Sequence, residues 1–464
     1  MRLISRFKKS PLIAGTLILT ATSFLTRIIG FFYRIFLSQI FGEEGMGIFQ
    51  LTAPVMALAF SFSAAGLQTS VSRYVAGEPS TRDYPFSFRI LITGGTLACL
   101  LSFLCTGITY YYSDDIASIL LKESRCAPIL RISALSFPFS AIHSIAKGYF
   151  YGIKNTKLPA ATQLIEQLIR VSSVYLIYLH LAAQGKEPTI AIAVVGVVLE
   201  EFVSFLISIA ALSIRFQKLW LLCPACASSG SIHFPLKRGY LSVTAGLMRM
   251  AFPLTLNRIV INLLQSVEAV YIPTALRTYG LNQSAALSTY GVLTGMALPL
   301  ILFPSALISS VCVLLLPTVA EAQTRSDYTA IRRTVSRAIR YSTYFGIFCT
   351  TGFLLFGRLA GKLLFHSSMA GGFILTLSFI CPFMYITSTL ASILNGLGKT
   401  GVTFCLNVSG LLIRLLFVFF LVPHFGIRGY LWGLLVSELI LTFADIAVVR
   451  YFTQSYCTEK SVIL

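Results

Sequence analysis

Two arginines seven residues apart, Arg27 and Arg34, interrupt an apolar stretch that runs from Leu12 to about Ile40. Seven residues is close to two helical turns, so both guanidinium groups project from one helix face. At the centre of a membrane helix an arginine costs roughly 2.5–3.5 kcal/mol on insertion scales. A helix that carries this cost faces a protein interior or a wet cavity. The expectation is a face turned into a central, anion-accepting cavity, because a guanidinium offers a planar fork of donors to phosphate oxygens. Arg258, in the seventh apolar stretch, is the counterpart expected opposite Arg27. Arg27, Arg34 and Arg258 are the candidate binding residues for a phosphate or diphosphate.

The other charges within apolar stretches admit two readings. Glu166 and Arg170 are at i,i+4, in the favourable order for an ion pair on one helix. Glu201 and Glu438 are expected to reach Arg170 and Arg414 across adjacent helices, and Glu268 lies further along the helix of Arg258. These six residues are either structural ion pairs or a coupling site for a proton or sodium, and both readings stay open. Arg249 and Asp445 fall near stretch ends, where they are expected to snorkel. The ten cysteines are scattered, and Cys223-Pro-Ala-Cys226 is a lone pair without histidine ligands nearby. Gly396-Leu-Gly-Lys-Thr400 resembles the end of a phosphate-binding loop, but Ile393 stands where that motif needs its first glycine. No metal, cofactor or nucleotide-driven engine is expected.

The elements that position these residues follow from composition. Of 464 residues 56% are hydrophobic and only 11% charged, with mean hydropathy +0.80. A soluble domain carries about 25% charged residues, so the chain is an all-α membrane protein. Apolar stretches long enough to cross a bilayer occur near 12–40, 50–74, 87–112, 129–152, 158–181, 188–214, 241–273, 286–317, 336–358, 370–395, 402–422 and 428–452, about twelve transmembrane helices. The net charge of +19 could suggest nucleic acid, but the basic residues sit in short loops and form no basic domain. They concentrate in alternate loops, which by the positive-inside rule puts both termini in the cytoplasm. The basic N-terminus (Arg2, Arg6, Lys8, Lys9) lacks a clean cleavage site after it, so the first stretch is read as a retained span. Tyr151–Arg170 aligns without a gap on Asn395–Arg414, superposing Gly152 on Gly396 and Ile169-Arg170 on Ile413-Arg414. Matching spans share an orientation, so the halves are parallel repeats related by a pseudo-two-fold axis along the membrane normal. Two six-helix lobes result, 1–216 and 241–464, joined by a cytoplasmic linker at 217–240.

Several stretches resemble the stage V sporulation protein B family of lipid-linked oligosaccharide flippases: Gly15–Phe36, Phe41–Pro54 (FGEEGMGIFQLTAP), Phe62–Ala76, Gly148–Arg170, Tyr290–Ser310, Leu315–Ala322 and Asn395–Thr400. That family belongs to the multidrug/oligosaccharidyl-lipid/polysaccharide exporter superfamily and is similar to lipid II flippases. The resemblance implies a V-shaped pair of lobes around a cationic cavity in a bacterial cell membrane. It also implies transfer of an undecaprenyl-diphosphate-linked saccharide from inner to outer leaflet, in polysaccharide or peptidoglycan synthesis and sporulation. The partners it implies are the lipid-linked saccharide, membrane lipids and membrane glycan-synthesis enzymes. Arg27 and Arg34 match the paired arginines of the first helix in lipid II flippases. Ile35 stands where those flippases commonly carry an aspartate, and residues 286–317 hold no arginine to match that of their eighth helix. Two other functions are weaker. An exporter of organic cations needs acids and aromatics where the first helix offers arginines. A glycan polymerase or ligase needs a catalytic set, and the outer loops supply only Glu43-Glu44 and Asp114-Asp115. The expectation is a transporter and not an enzyme.

Overall fold

The computed structural model describes residues 11–77, 84–221, 240–325 and 327–461. Most of the expected linker, both Cys223 and Cys226, and the basic residues Arg2, Arg6, Lys8, Lys9, Arg82, Lys237 and Arg238 lie outside the described residues. Every element among the described residues is a helix. The longer ones in chain order are α1 (Pro11–Phe60), α2 (Gly66–Gly77), α3 (Tyr84–Tyr111), α4 (Ala127–Ala134), α5 (Phe137–Gly152), α6 (Lys157–Ala183), α7 (Ala191–Leu221), α8 (Tyr240–Thr278), α9 (Gln283–Gly291), α10 (Leu298–Leu302), α11 (Ser305–Thr324), α12 (Tyr328–Phe365), α13 (Ser368–Leu377), α14 (Cys381–Gly396), α15 (Thr400–Phe420) and α16 (Ile427–Ser461).

Among the described residues eleven helices are long and apolar enough to cross a membrane, and the count is twelve when α4 and α5, which meet at a bend of 48°, are taken as one span. The expected count of about twelve is reached by a different division. The first two expected spans form one helical stretch, Ile18–Gly77, broken only where Gly42 adopts φ 65°, ψ −171°. Glycine alone enters that region freely. The eighth expected span, 286–317, is instead two helices, ending at Leu302 and restarting at Ser305. Pro304 caps the second of them, and a proline has no N–H to continue the ladder. Two π-helical segments, Ser61–Ala65 and Val292–Ala297, sit at matching points of the two halves.

The chain divides into two compact units, one of Met1–Ile29 and Thr52–Leu263, the other of Gly30–Leu51 and Leu264–Leu464. Helices α1 and α8 therefore contribute segments to both. Inside the first unit α2 packs on α5, α5 on α3 and α7, and α6 on α7. Inside the second, α11 packs on α14, α14 on α12 and α16, and α15 on α16. The neighbours repeat helix for helix, as the sequence repeat requires. Leu67, Val71, Ile145, Tyr149 and Leu247 fill the first core; Ile331, Leu390, Ile393, Leu394 and Val449 fill the second.

Between membrane helices the driving force is close packing, which small residues permit. The repeat's own glycines do this. A Cβ on Gly152 would lie 2.8 Å from the Ser72 carbonyl oxygen of α2, and one on Gly396 would lie 2.8 Å from the Leu316 carbonyl oxygen of α11. Gly148, one turn earlier, meets the Gln68 carbonyl oxygen at 2.5 Å. The aligned glycines thus mark the same helix crossing twice. Large side chains such as Phe103, Leu104, Leu176, Phe348 and Leu355 point outward, as a lipid-facing surface requires.

Asp327 precedes the span that begins at Thr329 and caps α12: its side chain accepts a hydrogen bond from the Ala330 N–H at 3.0 Å. That N–H, with the Thr329 hydroxyl, holds the Asp327 carboxyl below its ordinary pKa. A depressed folded-state pKa contributes stability above the unfolded value that is lost as pH falls through the folded one. Asp327→Ala is therefore expected to lower the melting temperature at neutral pH and to converge with the parent chain in acid. Equal melting curves at neutral pH would show that the cap contributes nothing.

Candidate functional site

The first half of α1 lies along α6. Ser23 Oγ and Thr26 Oγ1 each come within 3.4 Å of the Gln163 side-chain amide, and Thr26 is buried. A Cβ on Gly15 would stand 2.5 Å from Thr156 Oγ1, so the two helices are in contact two turns before Ser23 as well. With Thr26 committed to α6, the next residue is rotated by about 100° on a helix of 3.6 residues per turn, and Arg27 is exposed.

Arg258 is set by the first half of α8. Asn262 Nδ2 donates to Ser61 Oγ at 2.5 Å and to the Ala57 carbonyl at 3.3 Å. Thr255 and Ala251 lie against Gly66, where a Cβ would meet Thr255 Oγ1 at 2.0 Å. Arg258 itself, between Thr255 and Asn262, is exposed. Arg27 and Arg258 belong to the same unit, and among the described residues neither is in an ion pair. Arg34 is half-buried and lies in the other unit.

The remaining intramembrane charges are gathered into two groups. In the first unit Arg170 of α6 reaches Glu200 of α7 with both arms of its fork: Nε donates to Oε2 at 2.6 Å and Nη2 to Oε1. Glu200 is 2% exposed. Glu166, one turn before Arg170, is held from α5: Oε1 is 2.8 Å from His143 Nε2 and 3.0 Å from Lys147 Nζ. The carboxylate that takes Arg170's fork is thus Glu200, where Glu201 was expected. Glu201 Oε2 is buried with no hydrogen-bond partner among the described residues.

In the second unit Arg414 Nε of α15 lies 3.3 Å from Glu268 Oε1 of α8, and the Tyr430 hydroxyl of α16 donates to that same oxygen at 2.9 Å. Glu438 acts on Arg414 electrostatically without a bond to it. Asp445 is 2% exposed, so it is enclosed by the protein and does not snorkel as expected. Arg249 is exposed.

His143, Lys147 and Tyr430 were not among the candidates. Lys147 sits inside α5. A histidine four residues before a lysine, in a segment otherwise fit to span, was the available signal. The FGEEGMG segment is likewise more than a solvated turn. Ser367 Oγ donates to Glu43 Oε1, and Ser284 Oγ donates to Glu44 Oε2 at 2.7 Å, which ties the break at Gly42 to α9 and α13 within the second unit.

Comparison with known proteins places this architecture. Residues 12–323 match the model of the polysaccharide biosynthesis protein family. The chain belongs to that family. The family member described here is 27% identical over 450 residues to stage V sporulation protein B of Bacillus subtilis (strain 168), covering 95% of this chain and 84% of that one. It is 22% identical to the lipid II flippase MurJ of the same organism, over 88% of this chain and 76% of that one. Among solved structures it is similar to an inward-facing multidrug resistance MATE family transporter of the MOP superfamily, with TM-score 0.74, 12% identity and coverage of 93% and 96%. A MOP superfamily transporter from Pyrococcus furiosus follows with TM-score 0.65, 12% identity and 97% of both chains. At such identity the structures establish the fold alone. With the relatives, they make this a multi-pass bacterial membrane protein of the transporter and flippase type.

Proposed function

We propose that this chain is a flippase that carries an undecaprenyl-diphosphate-linked oligosaccharide or peptidoglycan precursor from the inner to the outer leaflet by alternating access. Arg27 and Arg258 hold the diphosphate in a cationic cavity, and Arg34, two turns along the helix from Arg27, extends the positive face. The two lobes are 1–216 and 241–464, and both termini are cytoplasmic, as the charge bias of the loops supports. The similarity to a sporulation protein and to a lipid II flippase supports a lipid-linked cargo for cell-wall synthesis.

The observation that carries this reading is a contrast among the arginines of the apolar helices. Arg170 and Arg414 are each neutralised by a buried glutamate, whereas Arg27 and Arg258 are exposed with no carboxylate partner among the described residues. A guanidinium kept in a span at a cost of roughly 2.5–3.5 kcal/mol, and not neutralised by the protein, is available to an anionic ligand. A diphosphate offers the oxygens that its fork fits. An organic cation would be repelled by the same groups.

The test is flipping of a labelled undecaprenyl-diphosphate saccharide in liposomes holding the purified chain. Arg27→Ala and Arg258→Ala are each expected to lower the rate by about tenfold or more, equivalent to at least ~1.4 kcal/mol of lost binding to the transported state, with melting temperatures unchanged. Lysine at either position is expected to restore part of the rate, since it keeps the charge but not the fork. Parental rates in both alanine variants would refute the assignment.

A further inference from the structure

A cavity of about 710 Å³ opens in the second unit where α8 and α15 end and α16 begins, inside the range of roughly 300–1,000 Å³ that small ligands occupy. Its wall includes Tyr279 just past the end of α8, Phe373 of α13, His424 and Phe425 of the short helix Val422–Phe425, and Arg428 and Trp432 of α16. The segment that closes it is folded tightly. The Phe425 N–H donates to the Leu421 carbonyl and the Gly426 N–H to the Val422 carbonyl, both at 2.8 Å. Gly426 then turns the chain at φ 61°, ψ −148°, a region that glycine enters freely. A Cβ there would meet the Tyr279 ring at 2.9 Å, and one on Gly429 would meet the Leu421 carbonyl oxygen at 2.8 Å. The connection between α15 and α16 is thus packed on itself and on Tyr279, so the cavity is part of the fold before anything enters it.

The wall is mostly aromatic and aliphatic, and its polar face is basic. Arg428 and His424 are exposed, and no aspartate or glutamate lines the cavity. Among the described residues Arg428 is in no ion pair. It stands one turn before Trp432, at i,i+4, so guanidinium and indole share a helix face. Trp432 is 62% exposed and Phe425 64%, at helix ends of the kind where aromatic residues mark the boundary between hydrocarbon and water. Three kinds of occupant fit poorly. An organic cation is repelled by Arg428. An uncharged apolar molecule takes water from the guanidinium without pairing it. A free inorganic anion pairs with Arg428 but leaves the aromatic wall in water. A phosphate joined to apolar chains satisfies both parts of the wall.

We propose that this cavity binds an anionic phospholipid of the leaflet that meets this end of the helices. The phosphodiester sits on the Arg428 guanidinium and His424, and the acyl chains start along Phe425 and Trp432. The fork of an arginine fits phosphate oxygens, and basic pockets between membrane helices bind lipid head groups. A lipid held there bridges Tyr279 to the start of α16. The site involves neither Arg27 nor Arg258, which belong to the first unit, and it does not rest on the flippase reading.

Trp432 makes the site directly readable, because the chain has two tryptophans and Trp220 is the other. The full-length Trp220→Phe chain is placed in phosphatidylcholine bilayers containing a small fraction of phospholipid brominated on its acyl chains, which quenches Trp432 fluorescence on contact. Brominated phosphatidylglycerol is expected to quench at about fivefold lower fraction than brominated phosphatidylcholine, the size of one arginine's attraction to anionic lipid. Arg428→Gln, melting like the parent in phosphatidylcholine alone, should bring the two lipids level, and Arg428→Lys should keep part of the preference. Arg277→Gln removes the same charge from the last turn of α8, outside the cavity wall, and should leave the preference unchanged. Equal quenching by the two lipids in the parent chain, or a preference that survives Arg428→Gln, would overturn the site. An equal loss in Arg277→Gln would also overturn it, in favour of a diffuse attraction at this end of the helices. If inorganic phosphate at constant ionic strength abolishes the preference, the cavity takes a free anion and the lipid assignment fails.

Discussion

Arg170→Leu is expected to destabilise the chain by about 3–5 kcal/mol, the cost of removing one partner from a buried ion pair. The reason is the asymmetry of the pair. Glu200 is 2% exposed and Arg170 34% exposed, so the substitution strands a carboxylate that water cannot reach, beside Glu201, whose Oε2 already lacks a donor among the described residues. The converse change, Glu200→Leu, leaves a guanidinium at the partly open edge of α6 with Glu166 and Glu201 nearby, and is expected to cost less. The double variant removes both charges and replaces them by apolar volume, which for buried pairs is often neutral. Unfolding measured in detergent for the four chains gives the coupling energy directly. Equal losses for the two single variants, with no recovery in the double, would show that Arg170 and Glu200 do not act as a buried pair.

This pair also shows where sequence reasoning stops. That the chain is all-helical and membrane-spanning follows from composition and from the length of its apolar stretches, and the parallel repeat from one gapless alignment. Both depend on many residues at once, so local errors cancel. Partner choice depends on one side-chain direction. Glu166 and Arg170 at i,i+4 can pair, but such a pair is worth only about 0.2–0.5 kcal/mol on a helix surface. Facing groups on α5 and α7 take both instead: Lys147 and His143 hold Glu166, and Glu200 holds Arg170. Glu200 and Glu201 point about 100° apart. In a helix apolar around most of its circumference, periodicity does not say which of the two faces α6. The repeat aligned Arg170 with Arg414, yet Arg414 turns to Glu268 of α8, whose carboxylate also takes the Tyr430 hydroxyl of α16. A repeat fixes the place of a charge in the fold. It does not fix the neighbour that neutralises it.

The arginines proposed to bind the cargo stand out in the sequence for a different reason. Arg27 and Arg258 are informative through the absence of local compensation: no acid stands at helical spacing to either in a position to pair. Their exposure agrees with that reading, and Thr26 and Asn262 explain it by holding the adjacent faces of α1 and α8 against the first unit. What spacing left hidden was the histidine behind them. A single His143 in an apolar segment reads as a core residue, and only the structure places it between the Ser204 carbonyl on one side and Glu166 on the other.

The closest helix approach in the second unit gives the other large expectation. A Cβ on Gly291 of α9 would fall 2.2 Å from the Glu43 carbonyl oxygen and 2.4 Å from the Gly47 nitrogen, and one on Gly47 would fall 2.3 Å from the Leu287 carbonyl oxygen. All of these are backbone atoms, so no side-chain rotation relieves the clash; α9 and the segment after Gly42 must move apart. Gly291→Ala is therefore expected to cost about 3 kcal/mol, the upper end of the range for overpacking, because the helices lose the close contact that small residues allow in membranes. Gly352→Ala in α12 is the control: nothing lies within 4 Å of its Cβ, and exchanging a helical glycine for alanine gains about 0.5–1 kcal/mol. Opposite shifts in melting temperature are expected for the two changes, though the chemistry is identical. Gly47→Ala forces open the same crossing, so Gly47→Ala with Gly291→Ala should cost less than the sum of the two, as coupled neighbours do. If Gly291→Ala instead melts like Gly352→Ala, the two backbones do not touch, and the FGEEGMG segment is held to α9 only through the Ser284–Glu44 hydrogen bond.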